Sequence, residues 1–208
     1  MKLFLASSIN QSGKTIAKAL GKKFGKRVLF VSTAAETSKD PWWNRADIKK
    51  LKLLGFKVEE YTFTGQTTKQ IKEKLSRVDI LCIGGGNTYY LLDKMKKSGA
   101  LKIVREAVQK GLVYIGASAG SVVATKSIEN VGDFDDVTEA SGLTSYNALN
   151  LVDLCLFVHW GSKDLEKHGS QTLRIVKKYF NKEANIVLLR DNQFLEVEDD
   201  HYKIVTAK

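Results

Sequence analysis

Apolar and polar positions alternate along this chain in two distinct rhythms. Short continuous or period-2 apolar runs, rich in β-branched residues and bounded by Gly, Ser, Asn or Asp, occur at "KLFLAS" (2–7), "RVLFVST" (27–33), "KVEEYTF" (57–63), "DILCIGG" (79–85), "VYIGAS" (113–118), "LCLFVHW" (154–160) and "NIVLLRD" (185–191). Each predicts a strand. Between most of them the apolar positions recur at helical spacing: "GKTIAKALGKKF" (13–24), "NRADIKKLKLLGF" (44–56), "TKQIKEKLSR" (68–77), "NTYYLLDKMKKSGALKIVREAVQKG" (87–111), "SVVATKSI" (121–128) and "SQTLRIVKKYF" (170–180). The end, "FLEVEDDHYKIVTA" (194–207), predicts two strands around an Asp-Asp turn. Strands that alternate with helices predict an α/β fold, a mostly parallel sheet with helices on both faces and a C-terminal antiparallel hairpin. No repeat or linker interrupts the 208 residues, and Pro41 is the single proline. One domain, 1–208, is expected.

Composition adjusts this picture only slightly. The 33 Lys and Arg against 23 Asp and Glu give a net charge of +10, which raises a nucleic-acid or anionic-surface role. The lysines are spread over "GKKFGKR", "DIKKLKLL", "LDKMKKSG" and "RIVKKYF", each the solvated side of a separate amphipathic helix, with no interleaving of aromatic and basic positions. Nucleic acid is therefore not expected as a partner. No apolar run approaches the roughly eighteen residues that span a bilayer, and "MKLFLASS" turns polar too soon for a signal peptide. A cytoplasmic protein without membrane contact is expected. Cys82 and Cys155 lie inside apolar segments, which suits reduced core thiols rather than a disulfide or metal site. No metal and no cofactor are expected.

In parallel sheets the reacting groups gather beyond the carboxyl ends of the strands. After the first strand, "SSINQSGKT" carries the closing Gly13, Lys14 and Thr15 of a phosphate-binding loop, but Ser8 stands where the opening glycine is needed. A Cβ there obstructs the conformation that turns successive N–H groups toward phosphate. A plain loop and helix start, capped by Ser12 or Ser8, is the better reading.

"G-A-S-A-G" at 116–120 fits G-x-S-x-G between a strand and a helix, the elbow whose glycines relieve crowding around an exposed serine. Ser118 is the candidate nucleophile, with the Ala119 N–H facing the same space. A serine needs a base and donors for the oxyanion. "CIGGGN" can supply a second donor from Gly85 or Gly86; it lacks the spacing of a dinucleotide loop. Of three histidines, His201 falls in the hairpin and His168 at a charged helix start, whereas His159 ends an apolar strand. Two carboxylates can orient it: Asp133, after the elbow helix, and Asp191, at the end of "NIVLLRD".

Elbow, upstream "GGGN" and downstream strand-end histidine, in this order and spacing, resemble peptidase E, the aspartyl dipeptidase group of serine peptidases that also includes cyanophycinase. The likeness runs from "LFLASS" through "ALKIVREAVQKGLVYIG" and "ALNLVDL" to "LLRDNQF". It implies a flavodoxin-like sandwich related to class I glutamine amidotransferases, with Ser118 as nucleophile and His159 as base. Gly85, Gly86 and Ala119 would form the oxyanion hole, and Asn87 would contact a small peptide substrate. Asp133 and Asp191 both match family positions for the carboxylate. The family's aspartate-selective arginine falls in a run that here reads "SQTLRI", one residue shorter. Gln171 or Ser170 takes its place and Arg174 matches a later arginine, which argues against strong aspartyl selectivity. The expectation is a serine hydrolase acting on short peptides, with a homodimer left open. Two alternatives stand beside it: a binding or sensor protein on the same scaffold, and a glutaminase-like amidohydrolase. The latter is disfavoured because Trp160 and Gly161, and no His-x-Glu pair, follow His159.

Overall fold

The computed structural model describes residues 1–21, 24–166, 169–182 and 184–208, the side chains of 133, 164, 166 and 171 excepted. Five parallel strands form its centre: β1 (Lys2–Ala6), β2 (Arg27–Val31), β3 (Lys57–Tyr61), β4 (Ile80–Ile83) and β5 (Val113–Ala117). A short parallel pair follows, β6 (Cys155–Phe157) and β7 (Ile186–Leu188), and the chain ends in β8 (Gln193–Glu198) and β9 (His201–Thr206). The main sheet runs β3-β2-β4-β5-β1-β8-β9, with β8 and β9 antiparallel, and β6-β7 forms a separate sheet. The helices are α1 (Ile9–Leu20), α2 (Trp42–Leu53), α3 (Thr68–Leu75), α4 (Thr88–Lys97), α5 (Ala100–Gln109), α6 (Ala119–Val122), α7 (Lys163–Glu166) and α8 (Gly169–Phe180).

Alternate residues of β1, β2, β4 and β5 serve opposite faces, which is why these strands read as continuous apolar runs, whereas β3 lies at the sheet edge and is largely polar. Phe4, Ala6, Val28, Phe30, Ile80, Cys82, Val113 and Ile115 pack with Ile9 and Ile16 of α1 and Ile48 and Leu51 of α2. Leu3, Leu5, Leu29, Val31, Leu81, Ile83 and Tyr114 pack with Ile71 of α3, Leu91 and Met95 of α4 and Val104 and Val108 of α5. The expected α/β class, with a mostly parallel sheet, helices on both faces and a terminal hairpin, is what the chain adopts. Cys82 and Cys155 are buried and unpaired. Among the described residues no helix is long and apolar enough to cross a membrane.

Three element assignments change. Segment 87–111 is two helices, broken at Gly99 with φ +75°. The helix expected over 121–128 contracts to α6, because Thr125 turns into a bridge with Val152. Helix α1 begins at Ile9, so Gly13, Lys14 and Thr15 sit within it and form no phosphate loop.

The parallel register aligns Ala6 with Ala117, Val31 with Ile83 and Ile83 with Gly116. The chain therefore leaves β1, β4 and β5 at one level, where the sequence places Ser7, Gly84 and Ser118. There a cleft of about 640 Å³ opens.

Candidate active site

Ser118 occupies φ 50°, ψ −115°, a conformation costly to a residue with a side chain. Its surroundings hold it there. The Ser118 N–H donates to Ala6 O at 2.9 Å, Ser121 Oγ donates to the same carbonyl at 2.7 Å, and Tyr114 Oη donates to Gly120 O at 2.6 Å. The flanking glycines are required by close approach: a Cβ on Gly116 would lie 2.6 Å from Gly120 O, and one on Gly120 would lie 2.0 Å from Ile83 O. The bend lifts the serine hydroxyl into the cleft at the start of α6.

His159 follows β6, also at positive φ (58°). Its N–H donates to Ser7 Oγ at 3.2 Å, and Ser7 Oγ donates to Leu189 O at 3.1 Å. One serine at the end of β1 thus ties together the chain beyond β6 and the chain beyond β7. The imidazole is held at both nitrogens, with Nε2 2.9 Å from Ser118 Oγ and Nδ1 2.5 Å from Asp191 Oδ1. The hydrogen bond with His159 holds the Asp191 carboxyl below its usual range, against a smaller opposing effect of burial. Asp133 falls in the 3₁₀ segment Glu129–Phe134, and its side chain lies outside the described residues.

The glycine loop after β4 differs from expectation in one respect. The Gly85 N–H is not free: it donates to Asn44 Oδ1 at 3.2 Å, while Gly85 O accepts from Trp43 Nε1 at 3.1 Å. Gly86, at φ 140°, passes so close to Ala34 O that a Cβ would lie 2.1 Å from it. Among the described residues neither the Gly86 nor the Ala119 N–H has an acceptor. Asn87 lines the cleft, yet its amide is committed. Oδ1 accepts the Tyr90 N–H at 2.9 Å as the cap of α4, and Nδ2 donates to Asp136 O at 2.8 Å. Arg174 is exposed on α8 and does not line the cleft; the Gln171 side chain and His168 lie outside the described residues.

Sequence reasoning missed the wall formed by α2. Trp42, Trp43, Ala46 and Asp47 all face the cleft, and Asn44 holds the glycine loop from beneath. The mark that sets it apart shows only in the fold: the buried positions of α2 are Asn44, Asp47, Ile48 and Leu51, a helical stripe on which two polar residues stand where apolar ones belong. Asp135, whose Oδ2 accepts the Thr88 N–H at 2.8 Å, was also missed. Burial pushes its carboxyl up, with the bonds to Thr88 opposing.

The model of peptidase family S51 matches residues 3–205. The chain belongs to that family. It is accordingly a serine-type peptidase. An uncharacterized peptidase of Listeria monocytogenes, Lmo0363, is 33% identical over 180 residues, 86% of each chain. A peptidase E of a Nostoc species is 25% identical over 186 residues, 88% of this chain and 74% of that one. A 1.5 Å crystal structure from Listeria monocytogenes EGD-e, described as a candidate peptidase E, superposes with a TM-score of 0.89 at 29% identity. That match covers 100% of this chain and 98% of the other.

Proposed function

We propose that this S51 peptidase cleaves short peptides through Ser118, His159 and Asp191. The observation that carries the reading is the imidazole bridging Ser118 Oγ (2.9 Å) and Asp191 Oδ1 (2.5 Å). In this reading His159 Nε2 takes the serine proton as Oγ attacks the scissile carbonyl, then returns it to the leaving amine. Asp191 accepts the Nδ1–H, which fixes the tautomer and stabilises the imidazolium. Asp133, the other candidate carboxylate, has no place in it, because Nδ1 carries one hydrogen and Asp191 accepts it. The free N–H groups of Gly86 and Ala119 receive the oxyanion, the latter with the field of the α6 amino end behind it; Gly85 supports the loop instead of donating.

Dipeptides and other short peptides are the proposed substrates, in keeping with the peptidase E relatives. Weak selectivity for aspartate is proposed from the shortened "SQTLRI" run and from the outward position of Arg174. Two buried, unpaired thiols support a cytoplasmic setting. A serine-reactive phosphonate tests the central assignment. Stoichiometric labelling at Ser118, lost in Ser118→Ala together with peptide hydrolysis, is expected; a serine that stays inert while peptides still bind would favour a binding protein on this scaffold.

A further inference from the structure

Three carboxylates line the cleft, Asp47, Asp135 and Asp191, and among the described residues no Lys or Arg does. In a chain of net charge +10 that local reversal of sign needs a reason. Two of the three acids are committed, Asp191 to His159 Nδ1 and Asp135 to the first turn of α4. Asp47 is different. Its Oδ1 accepts the Asn10 N–H at 2.7 Å, while Oδ2 has no hydrogen-bond or ion-pair partner among the described residues. The residue is only 5% exposed. Desolvation pushes its carboxyl up to about 7, although the Asn10 N–H and the nearby His159 pull the other way. Oδ2 is not a fully buried atom; it meets the solvent of the cleft that Asp47 lines, and a fixed cation can take the place of that solvent.

Its neighbours suit a cation as well. The first two turns of α2 place Trp42, Trp43 and Ala46 with Asp47 on the cleft wall. Trp43 is fixed by its bond to Gly85 O, and Trp42 is 61% exposed. An indole face favours both an aliphatic stem and a positive head.

We propose that Asp47 is a specificity-determining residue of this cleft, and that it selects peptides presenting an ammonium or guanidinium group next to the scissile bond. That group comes from a free amino terminus or from a Lys or Arg side chain. The inference rests on the peptidase reading above and narrows it, since an aspartyl side chain in the same position would meet Asp47 rather than a cation. A structural role accounts for half of the residue. The N-cap Ser8 makes no side-chain cap bond, and Asp47 Oδ1 serves the Asn10 N–H in the first turn of α1 instead. The other oxygen is left unexplained by that role.

Asp47→Asn separates the two roles, because the amide keeps an acceptor for Asn10 and loses the charge. Four matched peptides carry Lys or norleucine before the scissile bond, each with a free or an acetylated amino terminus. In the wild-type protein kcat/KM should favour a charged member by tenfold or more, and Asp47→Asn should bring the ratio to within about threefold. Loss on acetylation alone assigns the preference to the amino terminus; loss on the change to norleucine alone assigns it to the side chain. Calorimetric titration of the same peptides into Ser118→Ala and Ser118→Ala/Asp47→Asn gives that ratio without turnover. If the wild-type protein cleaves none of them and the charged peptides still bind selectively through Asp47, the peptidase reading falls and this one stands. Equal affinity for charged and neutral peptides in the wild-type cleft, which needs no variant to measure, or an unchanged ratio in Asp47→Asn, overturns it.

Discussion

In the proposed triad a single oxygen of Asp191 decides the protonation state of His159. Asparagine there keeps the shape of the side chain but can present an N–H to His159 Nδ1, which shifts the ring proton to Nε2 and removes the acceptor for the serine hydroxyl. Asp191→Asn is expected to lower kcat by about 10⁴-fold with KM changed little, as measured by initial rates on one good peptide substrate. Asp133→Asn should change kcat less than about threefold. If Asp133→Asn proves the more damaging of the two, the assignment of the carboxylate reverses. Ser118 and His159 stood out as candidates in the sequence because each ends an apolar run, and in a parallel sheet the end of a strand is also an address; Asp191 stood there too, but beside Asp133, and the sequence did not choose between them. Asp47 and Asn44 did not stand out, because they lie within a helix whose charged residues look alike until its buried face is known. Nothing in the sequence distinguished the Gly85 N–H from that of Gly86 either. Only the approach of Asn44, about forty residues earlier in the chain, consumes one and leaves the other.

At the scale of elements, the elbow depends on how closely α6 can lie against β4 and β5. Gly120 is the tightest point, since a Cβ there would lie 2.0 Å from a backbone carbonyl, Ile83 O, that cannot rotate away. Gly120→Ala should therefore displace α6 from the sheet, costing roughly 2–4 kcal/mol of stability and most of the activity. Chemical denaturation and phosphonate labelling of Ser118 read the two effects separately, and wild-type labelling with unchanged stability would show that α6 can move off Ile83 O at no cost. Asn44→Ala acts on the other side of the cleft. It leaves the buried Gly85 N–H without an acceptor and should lower kcat at least tenfold as the glycine loop shifts, with rates compared at saturating substrate. The elements themselves were largely readable, since every strand carries its apolar rhythm. Breaks and partnerships were not. Gly99 looks like any helical glycine until its left-handed φ and the nearness of Thr68 Cγ2 are seen. The three-residue strands β6 and β7 carry no mark telling that they pair with each other instead of joining the main sheet.

For the whole molecule, the sign of the charge is informative where it changes. The positive surface is a sum of separate helix faces, as the dispersed lysines indicate, whereas the acidic cleft appears only once the chain is folded. That reversal has a cost in stability, and Asp47 lets it be measured. Its carboxyl ordinarily ionises near 3.8 and is raised to about 7 in the fold. A raised carboxylate stabilises the native state when protonated: its favourable contribution is complete below about pH 4, where both states hold the proton, and disappears as pH rises through about 7. Above that point the protein bears the full burden of a buried ionised group, roughly 3–5 kcal/mol from the size of the shift. Asp47→Asn carries no such burden. It should therefore be more stable than the wild-type protein by a margin that widens from pH 5 to pH 8 by roughly 2–3 kcal/mol, as followed by urea denaturation at the two values. A margin equal at both would mean that Asp47 stays ionised throughout. Its carboxylate would then be as well solvated in the cleft as in the unfolded chain, with no stability cost, and the peptide comparison alone would decide the specificity.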